Sequence, residues 1–154
     1  MAITKALSTD EVTSIMQKCL EKSVVKYLGT FAADHQPLIT TFPSCYVVNT
    51  DPASKPGQHW LALHAPALNR PFEVFDSYGL PVVNYPLVLR KIRGDAADVN
   101  TIMLQGEQSS CCGHFCVYFL AKRANSASAF DVLCHMRDFV FTSDREHHIV
   151  ATVN

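Results

Sequence analysis

The run from Cys111 to Ala121 carries no acid, lysine or arginine, and it follows the polar, glycine-containing loop Leu104-Gln105-Gly106-Glu107-Gln108-Ser109-Ser110. Cys112, Phe115, Cys116, Phe119 and Leu120 fall on one helical stripe, and Val117 and Tyr118 make the other side apolar as well. A helix that is apolar all round has to be buried, so other elements must cover this one on every side. Ser109 and Ser110 are the candidate N-caps. The start of such a helix carries partial positive charge and unpaired N–H groups, both of which favour a thiolate over a thiol. A cysteine at that junction is a candidate nucleophile, and the remaining question is whether the chain supplies a base.

Upstream, Ser8-Thr9-Asp10-Glu11 reads as a capped, acidic helix start, and Val12, Ile15, Met16, Cys19 and Leu20 recur at helical spacing. That pattern fades near Tyr27-Leu28-Gly29, and Ala33 to Pro37 reads as a loop. Cys45–Asn49, His59–His64 and Phe72–Asp76 are predicted strands; Thr50 to Gly57 is a turn-rich break and Ala65 to Pro71 a hairpin connection. Val82 to Arg93 is ambiguous, with Pro86 interrupting it. Thr101–Leu104 is predicted as a strand, Ala129–Phe141 as a helix, and Ile149–Val153 as a last short strand. Helices and strands mix without a repeated β-α-β rhythm, which predicts the α+β class, with a small mixed sheet packed on the central helix. At 154 residues the chain is expected to be one domain, 1–154.

A formal net charge of -1 gives no reason to expect nucleic acid or an acidic membrane as the main partner. No run reaches the ~18 apolar residues of a membrane span, and Met1 to Ala6 is too short and polar for a signal peptide. A soluble, intracellular protein is expected. Six cysteines (19, 45, 111, 112, 116 and 134) are then better read as reduced thiols than as a disulfide framework. Cys111, Cys112, His114 and Cys116 do not have the spacing of a zinc finger and lack a second Cys/His pair at a suitable distance. No metal or other cofactor is expected.

The hairpin supplies the base. A turn centred near Leu68 puts His59 opposite Asp76 on antiparallel strands, and opposed residues share a face of the sheet. An imidazole beside a carboxylate is the pairing that orients a general base. With Cys112 it makes a nucleophile, a base and an orienting acid. The Cys112 N–H and the Gln105 carboxamide are candidate donors to a developing oxyanion. Singly, a cysteine on an apolar helix is more often core, a strand histidine structural, and an aspartate at a strand end a turn residue. Their joint arrangement favours the functional reading.

The set resembles the adenovirus-type cysteine proteases (the adenain family), of the clan that also holds the SUMO-specific proteases. The matching segments are Tyr27-Leu28-Gly29-Thr30-Phe31, Cys45-Tyr46-Val47-Val48-Asn49-Thr50, His59-Trp60, Phe75-Asp76-Ser77-Tyr78-Gly79, Gln105-Gly106 and Cys112-Gly113-His114-Phe115-Cys116. They run in the family's order from Tyr27 onward. The resemblance implies the fold of that clan, His59 as general base, Asp76 as the acid (glutamate in adenovirus enzymes, aspartate in SUMO proteases), Gln105 as oxyanion donor and Cys112 as nucleophile. It also implies that Trp60 walls a narrow substrate channel that admits glycine or another small residue before the cut.

Competing residues rank behind these. Cys111 lacks the following Gly-x-Phe-Cys, Gln108 lies too close to the helix start, and Glu73 falls on the other face or one register turn away. His64, His114, His135, His147 and His148 are read as structural or solvated. Adenovirus enzymes are activated by a disulfide-linked peptide, but Arg90 to Asn100 holds no cysteine, so covalent activation is expected to be absent or different. The family's larger C-terminal part is expected to be trimmed. An activating peptide or DNA is not inferable, since Arg90-Lys91-Ile92-Arg93 is the one basic cluster and reads as a solvated face. The resemblance implies a cysteine endopeptidase that matures viral or virus-like-element capsid precursors, in the host nucleus, virion or cytoplasm. An isopeptidase acting on ubiquitin or a ubiquitin-like protein is the alternative. A non-catalytic binding module is the third reading, against which the intact triad argues.

Overall fold

The computed structural model describes residues 5–92, 94–139 and 142–154. Met1–Thr4, Arg93 of the basic cluster, and Val140 and Phe141 at the end of the helix expected over Ala129–Phe141 lie outside the described residues.

A five-stranded sheet is formed by β1 (Lys26–Phe31), β2 (Ser44–Asn49), β3 (Trp60–Ala65), β4 (Phe72–Phe75) and β5 (Ala96–Asp98), in that spatial order. The two inner pairings are antiparallel and the two outer ones parallel, so the sheet is mixed. The helices are α1 (Thr9–Cys19), the single turn α2 (Pro86–Leu89), α3 (Cys112–Ala124), α4 (Ala129–Arg137) and α5 (Thr142–Val153). This mixture of helices and a mixed sheet accords with the expected α+β class.

The sheet is buried on both sides. Cys45, Val47, Ala62 and Phe75 point toward α1 and α3, while Tyr46, Val48, Leu61, Leu63 and Val74 point toward Val82, Val88 and Ala33. That explains why β2 and β3 read as near-continuous apolar runs rather than alternating ones. The central helix is as the sequence requires. All nine residues from Cys112 to Leu120 are buried, and the Phe119 ring stacks on Phe75 with centroids 4.6 Å apart. α1 starts with the predicted capping box: Ser8 Oγ accepts from the Glu11 N–H, and Glu11 accepts from the Ser8 N–H.

Four expectations need correction. Ser109 and Ser110 do not cap α3; Cys111 holds the N-cap position with no side-chain cap, and Ser109 Oγ instead accepts from the Cys111 N–H at 3.3 Å. Thr101–Leu104 is not a strand. Ile102 and Met103 are exposed and only Leu104 is buried, while the Leu104 and Gln105 N–H groups both go to the Ser77 carbonyl. Ile149–Val153 is helical, as part of α5, because Arg145 and Ile149, one helical turn apart, form its buried face. The Arg145 guanidinium donates to the carbonyls of Met136, Phe139 and Leu104, tying the end of α4 and the Gln105 loop to α5. β1 and β5 were not predicted; β1 runs on from the fading helical pattern, and β5 is made of alanine and aspartate, which are poor strand formers. The ambiguous stretch resolves into a 3-10 turn, Val82–Asn84, followed by α2.

The turn after β4 is fixed by contact as well as by torsion. Gly79 has φ +74°, and a Cβ there would lie 2.4 Å from the backbone of Ile102. Gly79→Ala is therefore expected to destabilise the protein by about 2 kcal/mol or more, measured as the shift of a urea unfolding midpoint.

Candidate active site

The hairpin brings His59 and Asp76 together, although not by the expected register. Ala62 pairs with Phe75, where a turn centred on Leu68 would pair it with Glu73 or Val74. Carried past the end of β3, the observed register sets His59 across from Tyr78, with Asp76 on the diagonal of the same face. Side chains alternate with period two, so a change of two residues preserves the face and a change of one would not. His59 Nε2 lies 2.6 Å from Asp76 Oδ1, and both residues are buried.

Asp76 sits in a set of donors. Oδ1 also accepts from the Tyr78 N–H at 2.9 Å, Oδ2 accepts from the Tyr85 hydroxyl at 2.7 Å, and the main-chain carbonyl accepts from Asn100 Nδ2 at 2.6 Å. Burial is the largest influence on this carboxyl and would raise its pKa. The hydrogen bonds and charge of His59, with the Tyr85 and Tyr78 donors, outweigh it and hold the group below its ordinary value.

For His59 burial is again the largest influence, and it opposes the imidazolium. Asp76 and Cys112 together overcome it, and the imidazole is raised from 6.5 to about 9. With Nε2 committed to Asp76, the remaining ring nitrogen, Nδ1, is buried without an aligned partner among the described residues. Cys112 is near enough for its sulfur, as thiolate, to favour that imidazolium. The Tyr78 ring covers the imidazole at 4.7 Å between centroids.

Cys112 is the first residue of α3 and is 8% exposed, whereas Cys111 is 1% exposed. The neighbouring thiols are held protonated. Burial pushes Cys111 up to about 11, and Cys116, whose thiol donates to the Trp60 carbonyl, is raised well above its ordinary value. Gln105 is fully buried and fixed at both ends of its carboxamide. Ser77 Oγ donates to Oε1 at 2.6 Å, and Nε2 donates to the Ser109 carbonyl at 2.9 Å. The second Nε2 hydrogen has only a long contact to the Tyr78 hydroxyl, 3.5 Å, and so is the freer donor. Gln108 is exposed. Glu73 belongs to a different cluster, accepting from Arg123 and lying 2.6 Å from His64 Nδ1.

Trp60 is half-buried beside the start of α3, where a Cβ on Gly113 would lie 3.3 Å from its Cδ1. Its indole N–H is directed to the Leu7 carbonyl at 3.4 Å. The loop of Gln105 is held from the far side too, by the Gly106 N–H donating to Glu146 at 2.6 Å. Tyr85, Ser77 and Asn100 were not singled out from the sequence. Ser77 follows Asp76 directly, but Tyr85 and Asn100 reach Asp76 through loops whose course the pattern does not reveal.

The arrangement can hold a proton between a sulfur and an imidazole while fixing the imidazole's other nitrogen. Imidazole titration by NMR is expected to place His59 near pH 9, against 6.5 for a free side chain. In Asp76→Asn burial dominates and the value is expected to fall below 6.5. Because the folded value is raised, the His59–Asp76 pair contributes its stability fully below about pH 6.5, and that contribution is lost as pH rises through about 9. Wild type minus Asp76→Asn stability should shrink across that window.

Comparison with characterised proteins agrees with the resemblance seen in the sequence. The chain is 28% identical over 130 residues to the protease of porcine adenovirus A serotype 3, covering 74% of this chain and 63% of that protein. It is 31% identical over 110 residues to the protease of bovine adenovirus B serotype 3, covering 61% of this chain and 54% of that protein. The matches thus span between about half and two-thirds of the length of these relatives. No family model matches the chain.

Proposed function

We propose that this chain is a cysteine endopeptidase with the adenain-type fold, in which Cys112 is the nucleophile, His59 the base and Asp76 the group that orients it. The single observation that carries this reading is the buried 2.6 Å contact between His59 Nε2 and Asp76 Oδ1, which leaves Nδ1 for the sulfur at the start of α3. The similarity to two adenovirus proteases supports the peptidase class.

In the mechanism, His59 takes the Cys112 proton and the resulting thiolate–imidazolium pair is held by Asp76. The thiolate attacks a peptide carbonyl carbon. The Cys112 N–H and the freer Gln105 Nε2 hydrogen stabilise the oxyanion, and the carboxamide does not have to reorganise far because Ser77 already fixes it. The imidazolium then gives its proton to the leaving amine as the thioester forms. Water, deprotonated by His59, hydrolyses that thioester and restores the thiolate. Trp60, packed over Gly113, walls the approach to the sulfur and favours small residues beside the cut. Polypeptides are the substrates, and capsid precursors of a virus or virus-like element are the substrate class that the family resemblance implies.

Two measurements test this. Iodoacetamide, with mass-spectrometric mapping, is expected to label Cys112 faster than the other five cysteines, and the advantage is expected to vanish in His59→Ala. Cleavage of short glycine-containing peptides is expected to drop by about a thousandfold or more in Cys112→Ser and His59→Ala. Equal, slow labelling of all six thiols, unchanged in His59→Ala, would sink the reading. Turnover of a ubiquitin-like conjugate with no cleavage of peptides would replace it with an isopeptidase.

A further inference from the structure

Tyr78 touches both halves of the site. It sits on the turn after β4, where its N–H is fixed on Asp76 Oδ1 at 2.9 Å. The next residue, Gly79, lies against the backbone of Ile102. The side chain therefore leaves an anchored stretch of main chain. Its ring covers the His59 imidazole, with centroids 4.7 Å apart and 32° between the planes. Its hydroxyl lies 3.5 Å from Gln105 Nε2. One side chain thus reaches from the base to the glutamine.

The contact with Gln105 is long for a hydrogen bond, since N–H···O distances run from about 2.7 to 3.2 Å. In that contact the hydroxyl oxygen is the acceptor, and among the described residues no protein group accepts the O–H hydrogen. That hydrogen stays in place near neutral pH. Burial raises the phenol above its ordinary value, and negative charge on Cys112 and then on Asp76 raises it further. Cys112 leads those charges, so the hydroxyl stands near the sulfur as well as near the amide. Tyr78 is only half-buried, which leaves it within reach of a substrate.

The Gln105 amide and the Tyr78 hydroxyl are two neighbouring donors that serve each other poorly. An oxygen about 2.9 Å from each would complete both hydrogen bonds. An anionic oxygen gains more from them than a neutral carbonyl does, because a charged acceptor roughly doubles the strength of the bond. We infer that the Tyr78 hydroxyl is a third oxyanion donor, acting beside Gln105 Nε2 and the Cys112 N–H when the thiolate adds to the substrate carbonyl. This rests on the peptidase reading above. No proton leaves the phenol. The thiolate electron pair forms the C–S bond and the carbonyl π pair moves onto oxygen, where three hydrogens hold it. When that pair returns, the C–N bond breaks and the amine leaves with the imidazolium proton.

Tyr78→Phe keeps the ring over His59 and removes only the hydroxyl. In the full chain, kcat/KM for peptide cleavage is expected to fall about tenfold or more. The affinity of a peptide aldehyde, whose hemithioacetal oxygen stands where the oxyanion does, is expected to fall with it. Iodoacetamide loses iodide at a saturated carbon and forms no oxyanion. Its rate at Cys112 is therefore expected to be unchanged, as is the NMR titration of His59. The ratio of cleavage to alkylation in one preparation does not depend on how much of the variant is folded. An unchanged ratio in Tyr78→Phe, beside an active wild type, would overturn the third donor and leave the peptidase reading standing. So would an equal fall in cleavage and alkylation, which would make Tyr78 a support for the Cys112–His59 pair. A wild type that neither cleaves peptides nor labels selectively at Cys112 would overturn both.

Discussion

Everything at the site is arranged around one buried carboxylate. Asp76 is almost fully removed from water, and a lone charge there would be expensive. Three donors on its oxygens offset that, the His59 ring, the Tyr78 N–H and the Tyr85 hydroxyl, while Asn100 holds the main-chain carbonyl of the same residue. Each comes from a different stretch of chain. Satisfying the charge gathers the end of the hairpin and the segment before α2 at one point, and the main-chain carbonyl of Asp76 brings in the loop after β5. The same carboxylate, together with Cys112, favours the imidazolium against its own burial, so the electrostatics of the base and the packing of the loops share an origin in Asp76.

The oxyanion side follows from that gathering. Ser77 is the next residue after Asp76. Its hydroxyl fixes the Gln105 carboxamide and its carbonyl accepts from the Leu104 and Gln105 N–H groups. A turn that holds the acid thus also aims the amide. Gly79 lets the backbone of Ile102 press against this turn, which leaves the loop little room to shift. Preorganisation of this kind is what an electrostatic site requires, because donors that must first reorient contribute less to the rate.

How much of this could be read in the sequence differed by element. The central helix was legible because no acid, lysine or arginine interrupts the nine positions from Cys112 to Leu120, which leaves no solvent face. α1 was legible because Ser8 and Glu11 form a local cap. The pairing of His59 with Asp76 survived an incorrect register, since the error was an even number of residues. Local signals failed where distant partners decide the conformation. Thr101–Leu104 has the residues of a strand, yet Ser77 and Asn100 take its backbone groups and no neighbouring strand is offered. Ile149 to Val153 likewise looks extended, but Arg145 anchors its helix through carbonyls remote in sequence. Tyr85 and Asn100 carry no local signal at all; their roles come from what surrounds them.

The grip of α5 on the Gln105 loop has a consequence for the order in which the molecule is made. Glu146 accepts from the Gly106 N–H and Arg145 donates to the Leu104 carbonyl, the first contact spanning 40 positions and the second 41. Chains emerge from the ribosome N-terminus first. The histidine, the aspartate and the cysteine are therefore all synthesised before the two side chains of opposite sign that clasp the loop between them. A nascent chain has its reacting groups before it has its fastening, and translation itself delays the finished site until after its chemistry has been encoded.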